Sequence, residues 1–113
     1  SAASDVYKRQ LHYSTPTPGL GLKSIPWIRD HDVAVVATDT IVFECYPPED
    51  PAAMLPVHMV NIRDIGLTQG QNWVLDPLAA DCAADGQYEF LLAATPLPFT
   101  WAAGGPVAPT AVK

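Results

Sequence analysis

The segment Val33-Ala34-Val35-Val36-Ala37, closed by Thr38-Asp39-Thr40, decides the fold class of this chain. It is a near-continuous apolar run rich in β-branched residues, the pattern of a strand buried on both faces of a sheet. Upstream, Leu22, Ile25 and Ile28 recur at helical spacing. Residues 22–30 therefore read as a short helix, with Pro26 tolerable only in its first turn. His31-Asp32 closes that helix, and His31 is placed to interact with its last carbonyls. Residues 11–21, rich in Pro, Thr and Gly, must be loop. Downstream, residues 41–45 read as a second short strand. Residues 46–56 carry Pro47, Pro48, Pro51 and Pro56 and cannot be regular.

The rest continues the alternation. Residues 58–64 offer a short helix ended by Gly66. Asp76-Pro77 reads as an N-cap followed by proline at the first helical position, which starts a helix over residues 78–84. Asp85-Gly86 is a turn. Residues 88–94 form a strand that stops at Pro96 and Pro98, and residues 110–112 close the chain as a terminal strand. This order is α/β. A sheet of three or four strands with one helix layer is marginal alone, so part of a larger domain is expected to be missing.

The first ten residues are unlike the remainder. Residues 1–10 are polar and lack apolar periodicity, and Asp5-Val6-Tyr7-Lys8-Arg9-Gln10 resembles a translated sequencing-adapter end. They read as a non-native extension or a disordered tail. The domain itself is taken as residues 11–113.

A chain of 113 residues is one domain at most, long enough to bury about two-thirds of its unfolded surface. The net charge of −6 argues against nucleic acid, whose phosphates demand clustered Lys and Arg. No apolar run approaches the roughly 20 residues of a membrane helix, and no signal-peptide pattern opens the chain. A soluble, cytoplasmic protein is the expectation. Cys45 and Cys82 form no CxxC or zinc-ribbon spacing and read as buried, reduced thiols.

Most polar candidates have ordinary structural readings. Gly19-Leu20-Gly21-Leu22-Lys23-Ser24 invites comparison with a phosphate loop. No strand precedes it and Lys23 does not follow a glycine, so it reads as a turn into a helix. No serine lies in a G-x-S-x-G elbow. Asp39 sits at a strand end, where polar groups converge on α/β sites, although a turn residue capping backbone amides is the slightly better reading. Glu44 reads first as a surface or edge residue and second as a cleft residue. His12 has no context. His58 opens a helix directly after a proline-rich loop, so the loop would aim its ring. A metal site still needs three or more donors, and no HxxxH or HxH supplies them.

An ordered series of blocks resembles a known family. Pro18-Gly19-Leu20 leads into Ile25-Pro26-Trp27-Ile28 and then Val33 to Thr40. Pro56-Val57-His58, the Gly66 step and Gly70-Gln71-Asn72 follow, and then Leu75-Asp76-Pro77-Leu78-Ala79-Ala80-Asp81-Cys82. Tyr88-Glu89-Phe90, Pro96-Leu97-Pro98, Gly105-Pro106-Val107 and the terminal Ala111-Val112-Lys113 complete the series. Together these resemble the C-terminal half of the cyclase family of metal-dependent hydrolases, to which the kynurenine formamidases belong. The longer bacterial members are the most similar.

The resemblance implies a partial swivelling β/β/α domain around zinc or manganese. It implies hydrolysis of a small amide, ester or lactone by a metal acting as Lewis acid and as generator of hydroxide. The family's HxGTHxDxPxH segment, which supplies most ligands, is absent here, so this chain alone is expected to be inactive. His58 matches a further ligand histidine, and Gln71 stands where the family carries a ligand glutamate. Metal ligands are thus assigned to His58 and Gln71, and catalytic residues to none. A carboxamide offers a neutral carbonyl oxygen where glutamate offers an anion, which weakens binding to a dication. Trp101 stands where related members mostly carry glycine. The implied partners are a small-molecule substrate and further copies of the chain, with no nucleic acid or membrane. The alternative is a non-catalytic member serving as a binding or assembly module.

Overall fold

The computed structural model describes residues 15–113. The expected tail over residues 1–10, and His12, lie outside them. The described elements are α1 (Ser24–Asp30), β1 (Val35–Ala37), α2 (Pro56–His58), a π-helical segment (Met59–Asp64), β2 (Thr68–Gly70), α3 (Asp76–Asp85), β3 (Leu91–Ala93) and β4 (Thr110–Val112). Helices and short strands mix, as the α/β expectation requires. Among the described residues, no helix is long and apolar enough to cross a membrane. The chain divides between Trp73 and Val74 into two compact units.

In the first unit β1 and β2 run parallel, pairing Val35 with Thr68, Val36 with Gln69 and Ala37 with Gly70. Ile28, Phe43, Val57 and Leu67 form the core, and Leu20, Leu22, Ile25, Val33, Val36 and Ile65 pack against it. Helix α1 turns Ile25 and Ile28 inward, the spacing expected of it. It ends where His31 N and His31 Nδ1 both meet the Trp27 carbonyl, at 3.1 and 2.8 Å. The His31 ring also stacks on the Trp27 indole. The turn before α1 is closed by Ser24, whose Oγ donates to the Gly21 carbonyl at 2.7 Å.

Several expectations are corrected here. β1 is three residues long, and Val35 is exposed, so the strand is not buried on both faces among the described residues. Its described sheet has two strands, so a central position is not formed. Residues 41–45 do not make a strand. The chain bends through residues 39–43 and then forms single bridges from Glu44 to Leu20 and from Tyr46 to Thr17. The reason lies in tertiary packing: Phe43 and Glu44 are adjacent and both fully buried, Phe43 in the core and Glu44 against the amides of Val57 and His58, and these partners override the strand-like composition. Gly19 allows this packing, since a Cβ there would lie 2.4 Å from the Glu44 carbonyl carbon.

The helix expected over residues 58–64 begins earlier, at Pro56, and is π-helical from Met59. Ile65 N donates to the Val60 carbonyl, five residues back, at 3.1 Å. Gly66 ends it at a φ of 71°. Wide turns of this kind are frequent at functional sites.

In the second unit α3 starts at Asp76 with Pro77 in its first turn, but Leu75 holds the capping position. Asp76 is already helical and makes no cap, so its carboxylate acts only through the favourable charge of the first turn. Gly86 closes α3 in the left-handed region at a φ of 72°, its N–H donating to the Cys82 carbonyl at 2.8 Å. β3 and β4 pair antiparallel, Leu91 with Val112 and Ala93 with Thr110. They form a second two-stranded sheet in place of one larger sheet. β3 is shorter than expected, beginning at Leu91.

Candidate functional site

The site starts from two strand ends. Because β1 and β2 are parallel, the residues that follow them emerge at the same edge of the pair. Thr38-Asp39-Thr40 follows β1, and Gln71-Asn72-Trp73 follows β2. Backbone bonds tie the two exits together: Thr38 N to Gly70 O, Asn72 N to Thr40 O and Trp73 N to Thr38 O, at 3.0 to 3.1 Å. The Thr40 hydroxyl donates to the Val42 carbonyl at 2.8 Å. Gly70 brings the strand close to Trp73, since a Cβ there would sit 2.7 Å from the indole. Gln71 is thereby placed by main-chain geometry, at the edge where α/β folds bind ligands.

His58 comes from α2 and meets Gln71. The His58 Nε2 and Gln71 Nε2 atoms are 2.7 Å apart, across 13 residues of sequence. The two residues assigned as metal ligands are therefore side by side. On its other side the imidazole faces Glu44, with Nδ1 2.8 Å from Glu44 Oε1. Phe43 stands edge-on to the ring, the centroids 5.8 Å apart.

Glu44 overturns its first reading as a surface or edge residue: it is fully buried. Its carboxylate also accepts from the backbone N–H of Val57 at 3.1 Å and of His58 at 2.9 Å. The first turn of a helix leaves such amides without partners inside the helix, and a buried carboxylate needs donors. Each satisfies the other. The available signal was a charged residue inside the apolar run Ile41-Val42-Phe43-Glu44-Cys45, which is tolerable indoors only when paired.

The other candidates do not join this group. Asp39 is exposed in the bend after β1. The glycine-rich turn already engages a carboxylate of the chain itself, since Leu22 N donates to Glu49 Oε2. Cys82 is buried and Cys45 half-buried, both free. A surface depression of about 290 Å³ lies between Ile28, Arg29, Val33 and Ile65 and includes neither His58 nor Gln71. Trp101 is fully exposed, so it fills no pocket among the described residues.

Whether these residues suit a divalent cation can be tested on donor chemistry. Among the described residues, no group of three or more His, Cys, Asp or Glu could hold one. His58 and Gln71 give one nitrogen and one neutral oxygen, which fits part of a coordination shell. Asn61 is buried and Gln69 half-buried, and the side-chain amide atoms of both are buried without a hydrogen-bond partner. Such groups are few in folded proteins, and these two lie close in sequence to His58 and Gln71.

No protein-family model matches this chain, and no curated protein matches it. Among solved structures, it is similar to the crystal structure of a novel cyclase, with a TM-score of 0.78 and 46% identity over 87% of this chain. The chain spans 31% of that protein's length. This likeness supports membership of the cyclase family and an α/β fold.

Proposed function

We propose that this chain is part of a cyclase-family, metal-dependent hydrolase acting on a small amide, ester or lactone, in the manner of an arylformamidase. The observation that carries the reading is the 2.7 Å approach of Gln71 to His58 Nε2 at the exit of the parallel strands. His58 would hold a zinc or manganese ion through Nε2, and Gln71 through its carboxamide oxygen after turning about its last torsion. A cation bound there would supply Lewis acidity toward a carbonyl. The chain's own residues orient the imidazole and place the carboxamide beside it. The remaining donors and the substrate contacts would come from sequence outside this chain, completing a swivelling β/β/α domain. Its extent, 31% of the similar cyclase, agrees with that division. A cytoplasmic homo-oligomer is the setting we propose.

A second reading, a non-catalytic binding or assembly module, rests on the neutral carboxamide at position 71. Metal analysis of the full-length protein separates the two. Stoichiometric zinc or manganese that disappears in His58→Ala is expected for the hydrolase, and a Gln71→Glu variant should hold metal more tightly. A protein without metal, or one whose metal survives His58→Ala, would sink the hydrolase reading.

A further inference from the structure

We propose that Glu44 is a positioning residue for His58, holding its ring as the Nδ1–H tautomer so that the Nε2 lone pair faces Gln71. The use of that lone pair toward a cation rests on the function proposed above; the tautomer does not.

Three contacts converge on one carboxylate. Oε2 accepts from Val57 N, and Oε1 accepts from His58 N at 2.9 Å while lying 2.8 Å from His58 Nδ1. The same oxygen thus grips the backbone and the ring of one residue. A carboxylate that accepts from two amides is set to accept from the ring as well, and a neutral imidazole donates through only one nitrogen. With Nδ1 as that donor, Nε2 is the acceptor. Gln71 then presents its NH₂ to it, which agrees with the 2.7 Å contact between the two Nε2 atoms. Phe43, edge-on to the ring, restricts its rotation.

The carboxylate is itself fixed. Glu44 is fully buried, and its segment is seated against the 17–20 loop by Leu20 N to Phe43 O and Cys45 N to Leu20 O, at 3.2 and 3.1 Å. The arrangement also offsets the neutral residue at position 71. The acidic group stands behind the histidine, where it fixes the orientation of the ring.

Nitrogen-15 NMR of the imidazoles in the full-length, metal-free protein tests this. His58, assigned by its loss in His58→Ala, should show a pyrrole-type Nδ1 and a pyridine-type Nε2. Glu44→Gln should lose this single-tautomer signature and weaken zinc binding, read by competition with a chromophoric chelator, by about 10- to 100-fold. Should Glu44→Gln fail to fold, Gln71→Ala serves: Glu44 remains, so the Nδ1–H signature should persist. A wild-type His58 protonated on Nε2, or a tautomer that follows Gln71 instead of Glu44, would overturn the proposal. If the tautomer is as expected but zinc binding survives His58→Ala, the positioning role stands and the metal-site reading falls.

Discussion

Up to Trp73 the described chain buries Ile28, Phe43, Val57 and Leu67 in one cluster, whereas from Val74 onward Cys82 is its one buried apolar residue. The second unit leaves Tyr88, Leu91, Leu97, Phe99, Trp101 and Val112 largely exposed. The first is held by burial and carries the candidate site. The second is held by a hairpin, a glycine-capped helix and charged contacts, each worth much less than a core side chain. The difference teaches where precision is needed: His58 and Gln71 are aligned by elements whose positions a core fixes.

The sharpest way to break this contrast is a pair of truncations. Phe43→Ala removes a fully buried ring and should cost about 3–5 kcal/mol, seen as a lower urea midpoint. Leu91, 71% exposed on β3, should change stability by no more than about 0.5 kcal/mol when truncated to Ala. A comparable loss at both positions in the full-length protein would show that the rest of that protein covers the β3 face, and the contrast would belong to this chain alone.

Legibility followed the same division between local and distant causes. The apolar spacing of α1, the Pro77 start of α3, the turn at Gly86, the Gly66 stop and the terminal strand are local, and each is found in the structure. The adjacency of His58 and Gln71 came from a family resemblance, and the structure places their ring and amide in contact. Glu44 was misread because its burial is decided by amides 13 and 14 residues away. Residues 41–45 were misread for the same cause, since a partner found through tertiary packing overrode the strand-like composition.

A middling effect of opposite sign is expected at Trp101. Its φ of 65° lies in the left-handed region, which costs a side-chain-bearing residue roughly 1–2 kcal/mol. The ring is fully exposed, so little packing offsets that strain. Glycine relieves it but adds freedom to the unfolded chain, worth about 0.4–1 kcal/mol. Trp101→Gly should therefore stabilise by up to about 1.5 kcal/mol, measured as a higher urea midpoint. A lower midpoint would mean that the indole is packed in the full-length protein.

The smallest effect concerns the tether at the end of the second unit. Lys113 Nζ lies 2.7 Å from Asp81 Oδ2 and 3.1 Å from both Asp85 carboxylate oxygens. The Asp81 hydrogen bond, then that of Asp85, holds the Lys113 ammonium above its usual 10.5. Asp85 is held below its usual 3.8, first by the Gln87 N–H and then by Lys113. The signs follow. The aspartate contribution is complete above about pH 4 and fades as pH falls through the lowered value. The lysine contribution is complete below about pH 10 and fades only as pH rises through the raised one. Between those limits the tether should be insensitive to pH, and because both aspartates are solvent-exposed, added salt should weaken it. Hydrogen exchange of the β4 amides reads this directly: Lys113→Ala should speed their exchange at neutral pH and reduce the added loss of protection at low pH, the Gln87 contact remaining. If wild type and Lys113→Ala exchange alike at both, the hairpin is held by its backbone pairing alone.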